Sequence, residues 1–592
     1  MLHFNLTIDE MSIHRDENWN GEKYVGFVDI GTDIDTDELP PAKYALVFLV
    51  TCINEHYKIP IVYYLLHSMT GAERANLLKQ CLVVLHEANV HVISVTVDGA
   101  ASNISMLNNM GCNLSITNLK TYFNHPISKD KIFVLLDACH MLKLIRNAFD
   151  NKKILWDKDG KIIHWKYIKL LVELQETEGL HAATKIRRRQ LNFYNEKMKV
   201  SLAAQVLSTS VANALTFCEQ DLQLPPFAGS SATTNFCLQI NNIFDLLNGR
   251  NRFYKNKSAQ CITRENYDEI CKQVDNFCIY LTGLKDANEY ILKSNRKMGF
   301  FGFIVDIKSI LEISKSLFQD HNIKYLMTYK LSQDHVETFF SAIRSRGGFN
   351  TNPTANQFIA AYKRLLVHAD VDISKSANST IIDETVVLNI STTALTNNTG
   401  EQSIIDNLTH DYTEKQDSVI VKSDHNYYHD FHNEWLCSDY IEDVVSYIAG
   451  FIVKSITKKI KCQICLSCLT CDETLSYLQK RKCRGGLTSA SKDVITTCLI
   501  GEKVFRTCDN VFHTKNIIQK LLLKAMHIIP SHVFNNDHLF DQNTLVDHRG
   551  QLLRIILTKY FNLRLYNEGL ARKDIIIRIR SKYTKLIQFK NQ

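Results

Sequence analysis

Residues 90–99 read VHVISVTVDG, a β-branched apolar run that stops at Asp98-Gly99. A run of this kind closed by an Asp-Gly turn predicts a buried strand with a carboxylate at its end. Working outward, LTIDEMSI (6–13) is a short strand that finishes in acids, with Asp9 the first of them. YALVFLVTCI (44–53) and IPIVYYLL (59–66) are two apolar runs joined by the polar NEHYK, which predicts a hairpin. GAERANLLKQCLVVLHEANV follows with helical spacing: Ala75, Leu78, Leu82 and Leu85 share one face. Beyond Asp98, KIFVLLDACH (131–140) is a further strand ending in Asp137 and His140, and it runs straight into the helix MLKLIRNAF.

Three strands, a helix, a strand and another strand is the order of an RNase H-like sheet. The fold class expected is therefore an α/β RNase H-like core, a mixed sheet with flanking helices. Residues 1–147 supply its N-terminal part. From 148 to 320 the pattern changes to helices, of which SLAAQVLSTSVANALTFC is the clearest, and this predicts a mainly α-helical insertion. Residues 321–370 return to the core as two helices around RGGFNTNPTA, with Ser332 as the N-cap and Gly347-Gly348 as the stop. Residues 371–425 are rich in Ser, Thr, Asn and Asp and read as a flexible linker. Residues 426–592 read as a helical, basic C-terminal region.

A length of 592 residues suggests three to five units, at roughly 100–200 residues per domain. With 45% hydrophobic residues the chain can bury a core, which excludes broad disorder. The formal charge of +7 permits a nucleic-acid partner without requiring one. The opening MLHFNLTIDEM lacks a basic segment followed by a long apolar run, and the apolar stretch nearest to it, 44–53, is shorter than the roughly 20 residues a bilayer needs. No membrane is expected, and the 17 cysteines read as mostly free thiols in a reducing compartment.

Strand-end carboxylates are where a sheet can hold metal. Two divalent ions about 4 Å apart can activate an attacking oxygen and stabilise a leaving one, and such hard cations prefer oxygen ligands. Asp9 and Asp98 are two candidates. The third is Glu337 in SQDHVETFFSAIR, at the edge of a buried stripe made by Val336, Phe339, Phe340 and Ile343. Asp334 lies three residues before it on the same side and is a supporting ligand. Each acid alone is ordinary, since an Asp before Gly is more often a turn residue and a helical Glu more often solvated. Only their joint arrangement raises the odds.

Six stretches carry a resemblance. Residues 6–31, 60–82, 95–103, 135–149, 197–215 and 331–358 resemble, in order, P-element-type transposases and the transposase-like THAP proteins, as does CSDYIEDVVSYIAGFIVKSI (437–456) more weakly. The resemblance implies a cut-and-paste DDE-type DNA transposase, nuclear, acting on transposon ends and target DNA with Mg²⁺ or Mn²⁺, and able to self-associate. It implies catalytic acids at Asp9, Asp98 and Glu337, with Asp29 in VGFVDIG a rival for the first. It also implies that the insertion binds GTP as a cofactor, with Asp137 and Lys143 at matching positions. The chain has no G-x-x-x-x-G-K-[ST], so this is not a P-loop; the plain alternative is that Asp137 caps its helix and Lys143 is solvated.

Two further features stand apart. CQICLSCLTC spaces Cys462, Cys465, Cys468 and Cys471 three apart, but the second pair or His pair of a strong zinc pattern is missing. On a helix they would form a drifting stripe, so they are expected to be mainly structural thiols. Residues 559–592 interleave basic and aromatic residues, a stretch that suits either a phosphate backbone or solvent. No THAP finger is recognisable ahead of the first strand. A DNA- or partner-binding protein derived from a transposase, without catalysis, is the alternative expectation.

Overall fold

The computed structural model describes the chain apart from residues 1, 20–23, 32–38, 254–256, 288, 320–322, 347, 349, 368–385, 388–436, 472–475, 509–513, 515, 536–547 and 591–592. Its centre is a seven-stranded mixed sheet. The strands are β1 (His3–Ser12), β2 (Tyr44–Cys52), β3 (Tyr57–Leu66), β4 (His91–Val97), β5 (Tyr122–Asn124), β6 (Lys131–Leu136) and β7 (Val386–Val387), in the order β7-β3-β2-β1-β4-β6-β5. β1 is antiparallel to β2 and parallel to β4, and β4 is parallel to β6, so the central strands follow RNase H topology.

Helices cover both faces. On one lie α1 (Gly71–Glu87), α2 (Ala101–Met110) and α3 (Ala138–Lys152). α1 opens on a capping box, in which Thr70 and Glu73 satisfy each other's backbone donors. Its predicted face, Ala75, Leu78, Leu82 and Leu85, is buried. α4 (Met298–Gln319), the last helix before the chain returns to the core, packs on α3. Two glycines set that approach: a Cβ at Gly299 would stand 2.8 Å from the Ile145 backbone nitrogen, and one at Gly302 would stand 2.2 Å from Met141 Sδ. α4 also caps the sheet edge, where Asp306 accepts the Leu136 N–H at 2.6 Å and Ser309 donates to the Val134 carbonyl at 2.6 Å.

The opposite face is covered by α5 (Asp334–Arg346) and α6 (Ala355–Val367). They form a separate core in which Val336, Phe339, Phe340, Ile343, Phe358 and Leu365 pack on Met11, Val47 and Leu49. The predicted stripe of α5 is thus its sheet-facing side.

Two local expectations change. SLAAQVLSTSVANALTFC is not one helix: it divides into Val200–Val206 and Thr209–Thr216, because the Ser208 hydroxyl accepts from Val211 N and starts a new helix. Val200–Asp221 is long and apolar enough to span a bilayer, but 56% of its apolar window is buried within the fold. Ser332 is not the cap of α5. A 3-10 turn at Thr328–Leu331 precedes it and takes its hydroxyl, which donates to the Tyr329 carbonyl, while the Gln333 carbonyl receives the first helical N–H groups. Finally, the expected linker lies outside the described residues except for β7, which pairs with β3.

The C-terminal part is helical: α7 (Asp439–Ile456), α8 (Lys492–Thr507), α9 (Ile517–Ile528) and α10 (His548–Lys590). Its core holds the fully buried Glu502, whose carboxylate pairs with Arg564 at 2.7 Å and Arg506 at 2.8 Å and accepts from Tyr560 Oη at 2.7 Å. Arg564 also donates to the Gly179 carbonyl at 2.7 Å, and Tyr440 Oη donates to that of Leu180 at 3.0 Å, so this part docks on the insertion. The basic-aromatic stretch is therefore partly internal: Tyr560, Phe561 and Arg564 are buried. Beyond Ile576 its side chains lie outside the described residues.

Candidate active site

β1 and β4 run parallel with Thr7 opposite Thr96. Two residues further on, each strand delivers a carboxylate, Asp9 on one and Asp98 on the other. Adjacent strands are about 4.8 Å apart, so the two acids start as neighbours. The third acid arrives through the segment that leads into α5. The buried Thr96 hydroxyl donates to the Leu331 carbonyl at 2.7 Å, and the Gln333 side-chain amide donates to the Ile8 carbonyl at 2.8 Å. These bonds seat the start of α5 against the ends of β1 and β4, and Glu337 lies one turn into that helix.

The electrostatics show that the acids share one pocket. Asp9 is pushed well above the usual carboxylate range, first by burial and then by the negative charges of Glu337, Asp98 and Asp137, against the Glu10 N–H that bonds its Oδ1 at 2.8 Å. Burial and then the charge of Asp137 raise Glu337 to about 7, while Lys143 and Arg344 oppose the rise. Arg344, also on α5, is drawn to Glu337 and Asp9, although burial lowers the pKa of its guanidinium. Asp98 is held in place: its Oδ1 accepts from Ala100 N at 2.9 Å and Asn103 Nδ2 at 2.6 Å. Asn103 in turn accepts from Arg74 Nη1 at 3.2 Å, and Arg74 pairs with Glu10.

The donor chemistry of these residues suits a divalent cation, on which the carboxylates would have to close, since their oxygens are not all within 4.8 Å of one another here. Among the described residues Glu337 Oε2 is buried with no hydrogen-bond partner, and the surrounding donors are oxygens of the hard type that Mg²⁺ and Mn²⁺ take. Without a cation, gathered carboxylates resist ionisation, and the raised pKa values record that.

Of the other predicted residues, Asp29 lies apart, while Asp334, Asp137 and Lys143 adjoin the acids. Asp29 is exposed, bridged to Leu65 across from β3, with its Oδ1 accepting from Gly31 N. Asp334 is held between the Cys139 thiol, 3.6 Å from its Oδ1, and Arg250, 3.4 Å from its Oδ2. Asp137 caps α3 by accepting from His140 N at 2.7 Å and also receives the Gln333 N–H at 3.1 Å. Lys143 is buried rather than solvated, within electrostatic reach of both Cys139 and Glu337.

Beside this cluster opens a cavity of about 910 Å³, lined by Cys139, Lys185, Ser208, Asp245, Arg250 and Asp334, among others. Asp137 and Lys143 stand behind Cys139 and do not line it. Lys185, Asp245 and Arg250 were not singled out from the sequence. They are ordinary polar residues on separate segments, and only folding brings them to one hollow.

Comparison with known proteins agrees with this layout. Residues 1–111 match the family described as TNP-like, RNase H N-terminal domain, and residues 329–363 match its RNase H C-terminal domain. Residues 139–260 match the TNP-like GTP-binding insertion domain, and 436–569 the C-terminal domain of DNA transposase THAP9. The chain is 27% identical to human DNA transposase THAP9 over 95% of its own length and 64% of the relative's. It is 25% identical to the Drosophila melanogaster transposable element P transposase over 90% of its length and 65% of the relative's.

The chain belongs to the P-element/THAP-type transposase family.

It spans just under two thirds of each of these relatives. The fold of this family member is also similar to that in the Drosophila P element transposase strand transfer complex, with a TM-score of 0.53 and 24% identity, covering 61% of this chain and 76% of the other. The acid cluster joins the two RNase H matches, and the cavity lies chiefly within the insertion match.

Proposed function

We propose that this chain is the core of a DNA transposase that cuts and joins DNA strands with Mg²⁺ or Mn²⁺ held by Asp9, Asp98 and Glu337. The observation that carries the reading is the convergence of three carboxylates from distant parts of the chain on one strand-end pocket, with Glu337 Oε2 left unbonded. Bound there, divalent ions would activate the attacking oxygen and stabilise the leaving oxygen of an in-line displacement at phosphorus. The chain's own part is positional. Asn103 and the Ala100 N–H fix Asp98, Gln333 fixes the start of α5, and Arg344 offsets part of the negative charge. Action on DNA places the protein in the nucleus.

The cavity is the proposed guanine-nucleotide site. Its volume falls within the roughly 300–1,000 Å³ typical of ligand pockets. Lys185 and Arg250 suit phosphates, and Asp245 suits the N–H groups of guanine. Asp334, which lines this cavity, stands one helical turn from Glu337, so charge entering the cavity would be felt at the acids. This is a cofactor role, without hydrolysis.

The test is a DNA nicking and strand-joining assay with a 3′-hydroxyl donor and plasmid target in Mg²⁺ or Mn²⁺. Activity in the wild-type chain that disappears in Asp98→Ala is the expected result. Undiminished activity in Asp98→Ala would refute the assignment, and metal binding without any strand chemistry would favour the non-catalytic, DNA-binding alternative.

A further inference from the structure

Cys465 Sγ lies 3.5 Å from His548 Nδ1, although 83 residues separate them in the chain. Cys462 joins them, and one ligand atom from each of the three falls within 4.8 Å of the others. None belongs to the acid cluster or the cavity. Cys462 immediately precedes the short helix Gln463–Ser467, and Cys465 lies inside it, so a single turn presents both sulfurs. His548 is the first residue of α10. The expected four-cysteine helical stripe does not form, since only those five residues are helical there.

Geometry argues for a tetrahedral ion. Zinc takes thiolate sulfur at about 2.3 Å and imidazole nitrogen at about 2.0–2.1 Å, which in a tetrahedron separates S from N by about 3.6 Å. The Cys465–His548 spacing is that spacing. Cys468, one turn beyond Cys465, is close enough for its charge to bear on the Cys465 thiol. A thiol that merely packs looks different here: Cys471 Sγ donates to the Ala490 carbonyl at 3.3 Å and lies 3.7 Å from Ser489 Oγ. The loop is also held independently of any ion, by the Ser491 N–H bonded to the Leu469 carbonyl at 2.9 Å and the Thr470–Ala490 bridge. Cys462, Cys465 and His548 are therefore presented in advance, and Cys468 stands one turn further on.

We propose that Cys462, Cys465 and His548 bind a structural zinc ion, with Cys468 as the fourth ligand. Thiolate and imidazole donors select zinc over magnesium or calcium. Binding deprotonates the three thiols and releases three protons to solvent, with His548 coordinating through Nδ1 as the neutral ring. With four protein ligands the site is closed and does no chemistry. It staples the start of α10 to the loop after α7. α10 then carries Tyr560 and Arg564 to Glu502, and Arg564 to Gly179 of the insertion.

The test is elemental analysis of the full chain, expressed with zinc in the medium and purified without chelator. One zinc per chain is expected in the wild type and in Cys471→Ser, with strong depletion in Cys465→Ser and His548→Ala. Because those variants can misfold, the wild-type chain is also exchanged into Co²⁺, where a thiolate-to-cobalt charge-transfer band is expected. A strong chelator should release the zinc and lower Tm. A zinc-free wild type, undiminished zinc in both ligand variants, or a cobalt form without the thiolate band would overturn the proposal.

Discussion

Thr7 and Thr96 face each other across parallel strands, and each stands two residues before a carboxylate. That register brings Asp9, within β1, beside Asp98, the first residue past the end of β4, which the Ala100 N–H and Asn103 then hold. Asp9 is thus carried by the sheet itself, whereas Glu337 comes from a helix packed against the sheet from outside.

The first prediction concerns the support behind Asp98. Asn103→Ala removes the 2.6 Å bond to Asp98 Oδ1 and the acceptor of Arg74 without touching a proposed ligand. Loss of such a partner weakens metal affinity by about 10–100-fold. Mn²⁺ titration followed by calorimetry should show that loss with little change in Tm. Unchanged affinity would mean that Asp98 needs no such support.

Glu337 makes the metal-free protein sensitive to pH. Its folded pKa, about 7, is above the ordinary value, so the folded state binds the proton more tightly than the unfolded one. The destabilisation grows as pH rises from the ordinary Glu range toward 7, and is complete above it. Glu337→Gln should therefore be more stable than the wild type at alkaline pH in chelator, by about 3–4 kcal/mol at roughly 1.4 kcal/mol per pKa unit, and no more stable at acid pH. Denaturant melts across that range measure the difference. Mg²⁺ affinity of the wild type should rise over the same interval.

Arg250 links the cavity to the core by pairing with Asp334 and stacking 5.1 Å from the Tyr329 ring centroid. Arg250→Ala and Lys185→Ala should each weaken GTP binding in calorimetry by about 1.5–3 kcal/mol, the range for hydrogen bonds to charged groups. A non-hydrolysable GTP analogue should bind like GTP, and ATP less tightly. Absence of GTP binding by the folded wild-type chain would remove the nucleotide assignment and leave the acid cluster untouched.

Glu502→Ala strands two arginines and the Tyr560 hydroxyl in the C-terminal core. Breaking a buried pair from one side costs about 3–5 kcal/mol. Denaturant unfolding should show a loss of that size, and Glu502→Gln, which retains acceptors for Tyr560, a smaller one. Equal losses would assign the cost to shape rather than charge.

Five of the seven strands were legible because they announce themselves locally, as apolar runs ended by acids or a polar turn, whereas the short β5 and β7 carry no such signal. The stripe of α5 was legible for the same reason, since Val336, Phe339, Phe340 and Ile343 repeat with the helical period. What stayed hidden depends on contacts distant in sequence. Nothing near Arg250 announces Asp334, and nothing near CQICLSC announces His548. A one-residue competition, the Ser208 hydroxyl against continued helix, divided what periodicity reads as a single element. Ser332 failed as a cap because the preceding 3-10 turn claims its hydroxyl, a preference invisible in composition.

Asp334 and Glu337 are one helical turn apart on α5, yet they answer to different surroundings, Arg250 and the cavity on one side and Asp9 on the other. A hydrogen-bonded turn rises about 5.4 Å and does not stretch. The two carboxylates are therefore not independent variables. Whatever tilts or draws Asp334 changes the aim of Glu337 by a comparable amount, so occupancy of the cavity would reach the acid cluster without a relay of intermediates.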